Sequence, residues 1–255
     1  MKKLPADWSR TNLREVARDK EKNNFMEIIT NNTIVRRNAR IGQIASLVGL
    51  LVLAGGMYIS FTQPQLFGLS LAALLVGFAL SQIGIYFGNR WSRRPRPDEL
   101  LDQALKGLDD RYHLYHYSTP ASHLLVGPAG VWVLMPRHQR GTISFDEDKG
   151  RWKQKGGNLY LKIFAQEGLG RPDLEIGGEL SAAKDYLSKL LPEDQVPEVQ
   201  AALVFTHDRV EVEADNAPSP TLHVKKLKDL LRKEAKNKPI SMDTVKEIHT
   251  NLPKV

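Results

Sequence analysis

Residues 41–61 (IGQIASLVGLLVLAGGMYISF) and 66–88 (LFGLSLAALLVGFALSQIGIYFG) contain no Asp, Glu, Lys or Arg, and only Thr62, Gln63, Pro64 and Gln65 separate them. A helix rises about 1.5 Å per residue, so about 20 residues cross a hydrocarbon core of roughly 30 Å. Both runs reach that length. Pro64 breaks a helix, and so short a turn forces two such helices to run antiparallel. The pattern predicts a transmembrane helical hairpin over residues 41–88. Buried helices of a soluble core rarely run this long without one charge.

Orientation follows from the arginines. Arg36, Arg37 and Arg40 precede the first run, Arg90, Arg93, Arg94 and Arg96 follow the second, and the turn between has no basic residue. Cytoplasmic flanks collect Lys and Arg. The expectation is a two-pass protein of the cell inner (plasma) membrane with both termini cytoplasmic. Tyr58, Phe61 and Phe67 near the turn, and Tyr86, Phe87 and Trp91 at the other end, suit interfacial belts. On the second run Ala73, Gly77, Ser81, Gly84 and Gly88 form a stripe of small residues that admits a close neighbouring helix. That neighbour is the first run or another membrane helix. The expected partners are the lipid bilayer and then a membrane protein or a second copy through the hairpin. Neither run holds an ionisable residue in its interior, which argues against a transporter or proton relay.

The 255 residues leave room for one ordinary domain beside the hairpin. The chain divides into a charged cytoplasmic arm (1–40), the hairpin (41–88), a basic linker (89–97) and a cytoplasmic domain (98–255). No cleavable signal peptide is expected from the polar first forty residues. The chain has no cysteine, which excludes disulfides, thiolate metal sites and cysteine nucleophiles. The net charge of +7 is concentrated in part beside the hairpin, where lipid phosphates account for it. Nucleic acid is a possible partner but not the favoured one. In the arm, Asn23, Asn24, Asn31 and Asn32 interrupt any long helix. Residues 25–29 (FMEII) make a short amphipathic stretch for the bilayer surface or a partner, in an otherwise solvated arm.

Past the linker the pattern becomes α/β. Asp98 is placed to cap a helix bearing Leu100, Leu101, Ala104, Leu105 and Leu108. Strands are predicted at 112–117, 122–126 and 131–135, the last two joined by the Gly127-Pro128-Ala129-Gly130 turn. Further strands fall at 142–145 and 158–163 around the acidic turn Asp146-Glu147-Asp148, then a helix at 175–191, a buried strand at 199–206 and a short one at 222–224. Helices from Lys225 and Ser241 follow. The fold class expected is a mixed sheet flanked by helices.

At this point the sequence resembles the nuclease-related domain family. The likeness covers about residues 95–235 and rests on ASHLLVGPAGVWVLMPRHQRG at 121–141, on the strand bearing Trp152 and on ALVFTHDRVEV at 202–212. It implies a restriction-endonuclease-like fold with a PD-(D/E)xK metal site. Such a site needs an Asp and a Glu-x-Lys, whose carboxylates hold Mg²⁺ while the lysine serves the attacking water. Here the Asp position is Ser122, and Glu-x-Lys falls on Met135-Pro136-Arg137. A hydroxyl is a poor Mg²⁺ ligand, a thioether a worse one, and arginine does not exchange a proton at neutral pH. Glu99 matches an acidic position of the family, but one carboxylate does not hold a catalytic metal. The resemblance therefore implies a dismantled site, with no catalytic residue, metal or cofactor expected.

Other chemistries have less behind them. His113, His116, His123 and His138 suggest a metal cluster by residue type, yet His113 and His116 are three apart on a strand and point to opposite faces. Arg137, His138 and Arg140 beside Gly141 make either a phosphate-binding patch or a solvated turn. Gly168-Leu169-Gly170 and Gly177-Gly178 lack nucleotide-loop spacing. Lys225, Lys226, Lys228, Arg232 and Lys233 read as the wet face of an amphipathic helix. The expected function is a membrane-tethered, non-catalytic interaction module, a scaffold or accessory subunit of a larger membrane assembly. The alternatives are a nucleic-acid-binding protein at the membrane, or an active nuclease with ligands relocated to Glu99, Asp146 or Glu175.

Overall fold

The apolar runs of the domain alternate between two faces of one sheet. Leu124, Val126, Val131, Val133, Ala201, Leu203 and Phe205 point into one core, while Leu125, Trp132, Leu134, Ala202 and Val204 point into another. Successive strand residues face opposite sides, so a strand covered on both faces must be apolar throughout. That is why 123–127 and 199–205 carry no polar alternation beyond their ends.

The computed structural model describes residues 25–156, 168–192 and 195–254. The elements in chain order are strand β1 (Glu27–Thr30), helix α1 (Asn32–Thr62), a 3-10 turn (Pro64–Leu66), helix α2 (Phe67–Phe87), a π turn (Gly88–Ser92) and helix α3 (Pro97–Leu105). Strands β2 (His113–His116), β3 (His123–Gly127), β4 (Gly130–Arg137), β5 (Gly141–Asp146) and β6 (Arg151–Lys155) follow, then helix α4 (Pro172–Leu190). The rest are β7 (Val199–Phe205), β8 (Val210–Glu213), β9 (Thr221–His223), a 3-10 turn (Val224–Lys226), α5 (Leu227–Asn237) and α6 (Met242–Asn251).

The domain is mixed α/β. Its six-stranded sheet has the order β1-β2-β3-β4-β7-β9, with β2-β3-β4 antiparallel and the other neighbours parallel. A smaller sheet, β6-β5-β8, covers part of one face. Ile176, Ala183 and Leu187 of α4 and Val245 and Ile248 of α6 complete that core, and α3 and α5 close the other through Leu101, Leu105, Leu227 and Leu231. Trp152 donates its indole N–H to Thr221 Oγ1 at 2.9 Å, joining the small sheet to the edge of the large one.

Helices α1 and α2 are long and apolar enough to cross a membrane, and only 11% of the most apolar window of each is buried within the protein. A soluble core helix would be mostly covered. What is covered is a seam of small residues seven apart. A Cβ on Gly42 would lie 3.1 Å from Gly88 N, on Gly49 2.9 Å from Ser81 N, and on Gly56 2.9 Å from Ala73 Cβ. From the other side, Gly77 abuts Leu53 and Gly84 abuts Ser46. Ser70 donates to the Gly56 carbonyl at 2.9 Å across the seam. Seven-residue spacing is the repeat of a left-handed helix pair. The stripe of Ala73, Gly77, Ser81 and Gly84 is thus occupied by α1, whereas a Cβ at Gly88 would meet nothing within 4 Å.

Several boundaries differ from the sequence expectation. The first helix begins nine residues before Ile41, at Asn32, with the Asn31 side chain accepting from Ile34 N at 3.1 Å. The stretch 25–29 does not stand apart from the domain: Ile28 and Ile29 lie in β1, paired parallel with β2. The α3 cap is Arg96, not Asp98: Asp98 lies inside the helix, where its carboxylate accepts from the Arg96 guanidinium at 2.7 Å, and the Arg96 N–H donates to Glu99 at 3.0 Å. The strand after the acidic turn is β6 at Arg151–Lys155; residues 158–163 and 1–24 lie outside the described residues. Strand β4 runs through Pro136, tolerated because its pairing with β3 stops at Val133 and the missing N–H faces no partner on that side.

Candidate functional site

The antiparallel hairpin brings its two ends, and both arginine clusters, to one side. There the chain passes from apolar helix to folded domain, and it does so through a small apolar neck. Val35 of α1, Trp91 of the π turn and Tyr117 after β2 are buried together, with Ile34, Ala39 and Phe87 packed around them. The Trp91 and Tyr117 rings sit 4.3 Å apart. Tyr117 holds a left-handed φ of 57°, a conformation costly for a bulky side chain and kept only by its surroundings.

Beside this neck lies a cavity of about 360 Å³, within the range of small-ligand pockets. Its floor is the end of β4 (Leu134, Met135, Pro136, Arg137) with Ser122 and His123 at the start of β3. One wall is the end of α2, the π turn and the residues after it, with Tyr86, Arg90, Arg93 and Arg94; the other is the first turns of α4, with Glu175 and Glu179. Four arginines face two glutamates, so the lining is net positive.

These charges are arranged, not scattered. Glu179 accepts from Ser122 N and Oγ, both at 2.7 Å, and Arg90 Nη2 donates to Ser122 Oγ at 3.0 Å. Glu175 pairs with Arg137. Arg90 also lies over the Trp91 ring, 5.6 Å from its centroid, which ties the cavity wall to the neck. Arg93 and Arg94 are exposed, and Arg94 reaches Glu99 only at 3.7 Å. Arg96 is committed to Asp98 and Glu99.

Behind the floor runs a buried histidine pair. His116 Nδ1 and His123 Nδ1 are 2.7 Å apart, and His116 Nε2 is 2.9 Å from Asp102 Oδ1. Two ring nitrogens this close share one proton. Burial, with His116 and then Arg90 alongside, pushes His123 well below the usual imidazole range.

The structure therefore gathers Ser122, Met135, Arg137 and His138 on one cavity. It leaves Glu99 outside the lining, on Arg96. Arg140 also lies outside the lining, its carbonyl accepting from Gln154 Nε2 at 2.9 Å. Arg36, Arg37 and Arg40 are exposed on α1 outside the cavity. The four histidines do not converge: His113 faces Glu27, His116 meets His123, and His138 contacts Thr206 at 3.1 Å. Asp146 pairs with Lys153 in the small sheet. Glu179 is the residue that sequence reasoning missed. It lies 57 residues after Ser122 on a helix whose apolar periodicity says nothing of its polar face. Comparison with protein-family models, with curated proteins and with solved structures finds no match to this chain.

Proposed function

We propose that this chain is a membrane-anchored, non-catalytic module whose arginine-lined cavity holds a phosphate-bearing anion at the bilayer surface, in first place the headgroup of an acidic phospholipid. The hairpin spans the inner membrane with both termini cytoplasmic, and the domain beneath it is a pseudo-nuclease of the restriction-endonuclease-like kind. It serves a membrane assembly as a scaffold or accessory subunit. The observation that carries this reading is the placement of Arg90, Arg93 and Arg94: they follow closely on the end of an apolar helix and line the cavity. Basic pockets beside membrane helices on the cytoplasmic side suit anionic headgroups. Tyr86, Leu100 and Leu134 give the same cavity an apolar part for the glycerol end.

Non-catalysis is supported by what the carboxylates already do. Glu175 is held by Arg137 and Glu179 by Ser122, while Asp146 sits in the other sheet on Lys153. A hard divalent cation wants several oxygen ligands free to converge.

The test uses the full chain in mild detergent, titrated with short-chain phosphatidylglycerol, short-chain phosphatidylcholine, inorganic phosphate and a DNA duplex. Phosphatidylglycerol is expected to bind at least tenfold more tightly than phosphatidylcholine. Arg90→Gln and Arg137→Gln each weaken it about fivefold, the value of about 1 kcal/mol per basic side chain, while Lys236→Gln, an equal change in net charge, leaves it alone. Preference for DNA with a steep salt dependence would favour nucleic-acid binding instead. Mg²⁺- or Mn²⁺-dependent cutting would end the non-catalytic reading.

A further inference from the structure

Strand β1 stands beside β2 with Glu27 opposite His113 in the parallel register. Opposed residues of a pair point to the same face, here the one covered by α6. His249 of α6 arrives at that spot: His113 Nδ1 is 3.1 Å and His249 Nε2 3.4 Å from the same Glu27 oxygen. The three ligand-type atoms lie within 4.8 Å of one another. We propose that Glu27, His113 and His249 form a site for a borderline divalent metal, Zn²⁺ in first place, that ties the strand leading into the hairpin to helix α6.

The distances suit that ion. Zn–N and Zn–O bonds of about 2.0–2.2 Å at tetrahedral angles put neighbouring ligand atoms about 3.3 Å apart, and the two Glu27 separations bracket this value. Two imidazoles and a carboxylate are a donor set that zinc takes with a water in the fourth place. The side chains leave room for it, Glu27 being 54% exposed. His249 is also oriented from behind. Its Nδ1 is 2.7 Å from the hydroxyl of Tyr115, which shares a face with His113 two residues away on β2. When Nδ1–H donates to Tyr115 Oη, Nε2 presents its lone pair toward Glu27, the outer-shell device that fixes the tautomer of ligating histidines. The two rings are stacked 3.8 Å apart with an interplanar angle of 17°. Closure on a metal splays them about χ2, a broad and soft torsion.

The site is independent of the arginine cavity and stands or falls separately. The full chain, purified in mild detergent with a tag free of histidine and stripped with chelator, is titrated with Zn²⁺ against a chromophoric competitor. The expected result is one Zn²⁺ per chain, with affinity falling at least tenfold in Glu27→Gln and in His249→Gln. Tyr115→Phe, which removes only the orienting hydroxyl, weakens binding about tenfold. Co²⁺ in place of Zn²⁺ gives the visible absorption of a tetrahedral ion, lost in the same variants. In chelator all variants melt with the wild type, and Zn²⁺ raises the wild-type Tm further than that of any variant. Should His249→Gln fail to fold, Glu27→Gln at a half-exposed position carries the test. No tight Zn²⁺ uptake, or uptake that ignores Glu27 and His249 among the seven histidines of the chain, overturns the proposal.

Discussion

Arg90 belongs at once to the turn that ends the hairpin and to the cavity wall, donating to Ser122 and stacking over Trp91. That Ser122 and Met135 carry no carboxylate is legible in the sequence. What fills their place is not, since Glu179 and Arg90 reach Ser122 from 57 residues after and 32 before. His123 gives a prediction of its own. Its folded form resists protonation because burial excludes the charge, while in the unfolded chain it titrates near its ordinary value of about 6.5. Below that pH the unfolded state binds the extra proton, so stability falls as pH drops through about 6.5. Between pH 7.5 and 5.5 this histidine should cost about 1 kcal/mol. Thermal melts of the full chain in detergent should show that loss, and His123→Gln should show correspondingly less.

At the level of elements, length and hydropathy make α1 and α2 plain, and a run of Val, Leu and Ala makes β4 and β7 plain. The second set of small residues, Gly42, Gly49 and Gly56, escapes a search at intervals of four because it recurs at seven. Strand β1 escapes because its four residues gain strand character only by pairing with β2, 86 residues on. Strand β8 escapes for a like reason, pairing parallel with β5 from across the chain. The seam predicts a contrast between glycines. Gly84→Leu drives a side chain into the Ser46 backbone, 2.9 Å from its N, whereas Gly55→Leu meets nothing within 4 Å. Overpacking of this kind costs about 1–3 kcal/mol. Helix-pair proximity, read by cross-linking of cysteines introduced at the ends of α1 and α2 away from the turn, should fall in the first variant and hold in the second.

For the whole molecule, the hairpin is attached to the domain at both ends. Its first helix grows directly out of β1, and its second ends in the π turn whose Trp91 packs on Val35 and Tyr117. An anchor joined at one end by a loose linker would let the cavity wander; this one holds Arg90, Arg93 and Arg94 at a set place beside the helix end. The account therefore depends on where the hairpin lies. The chain has no cysteine, so single cysteines report position without background. Gln65→Cys in the turn and Lys246→Cys on α6 are each expressed in intact cells and treated with a membrane-impermeant maleimide. The account predicts labelling of Gln65→Cys from outside and of Lys246→Cys only after the membrane is opened. Equal labelling of both positions in intact cells, or recovery of both in a detergent-free soluble fraction, would contradict it.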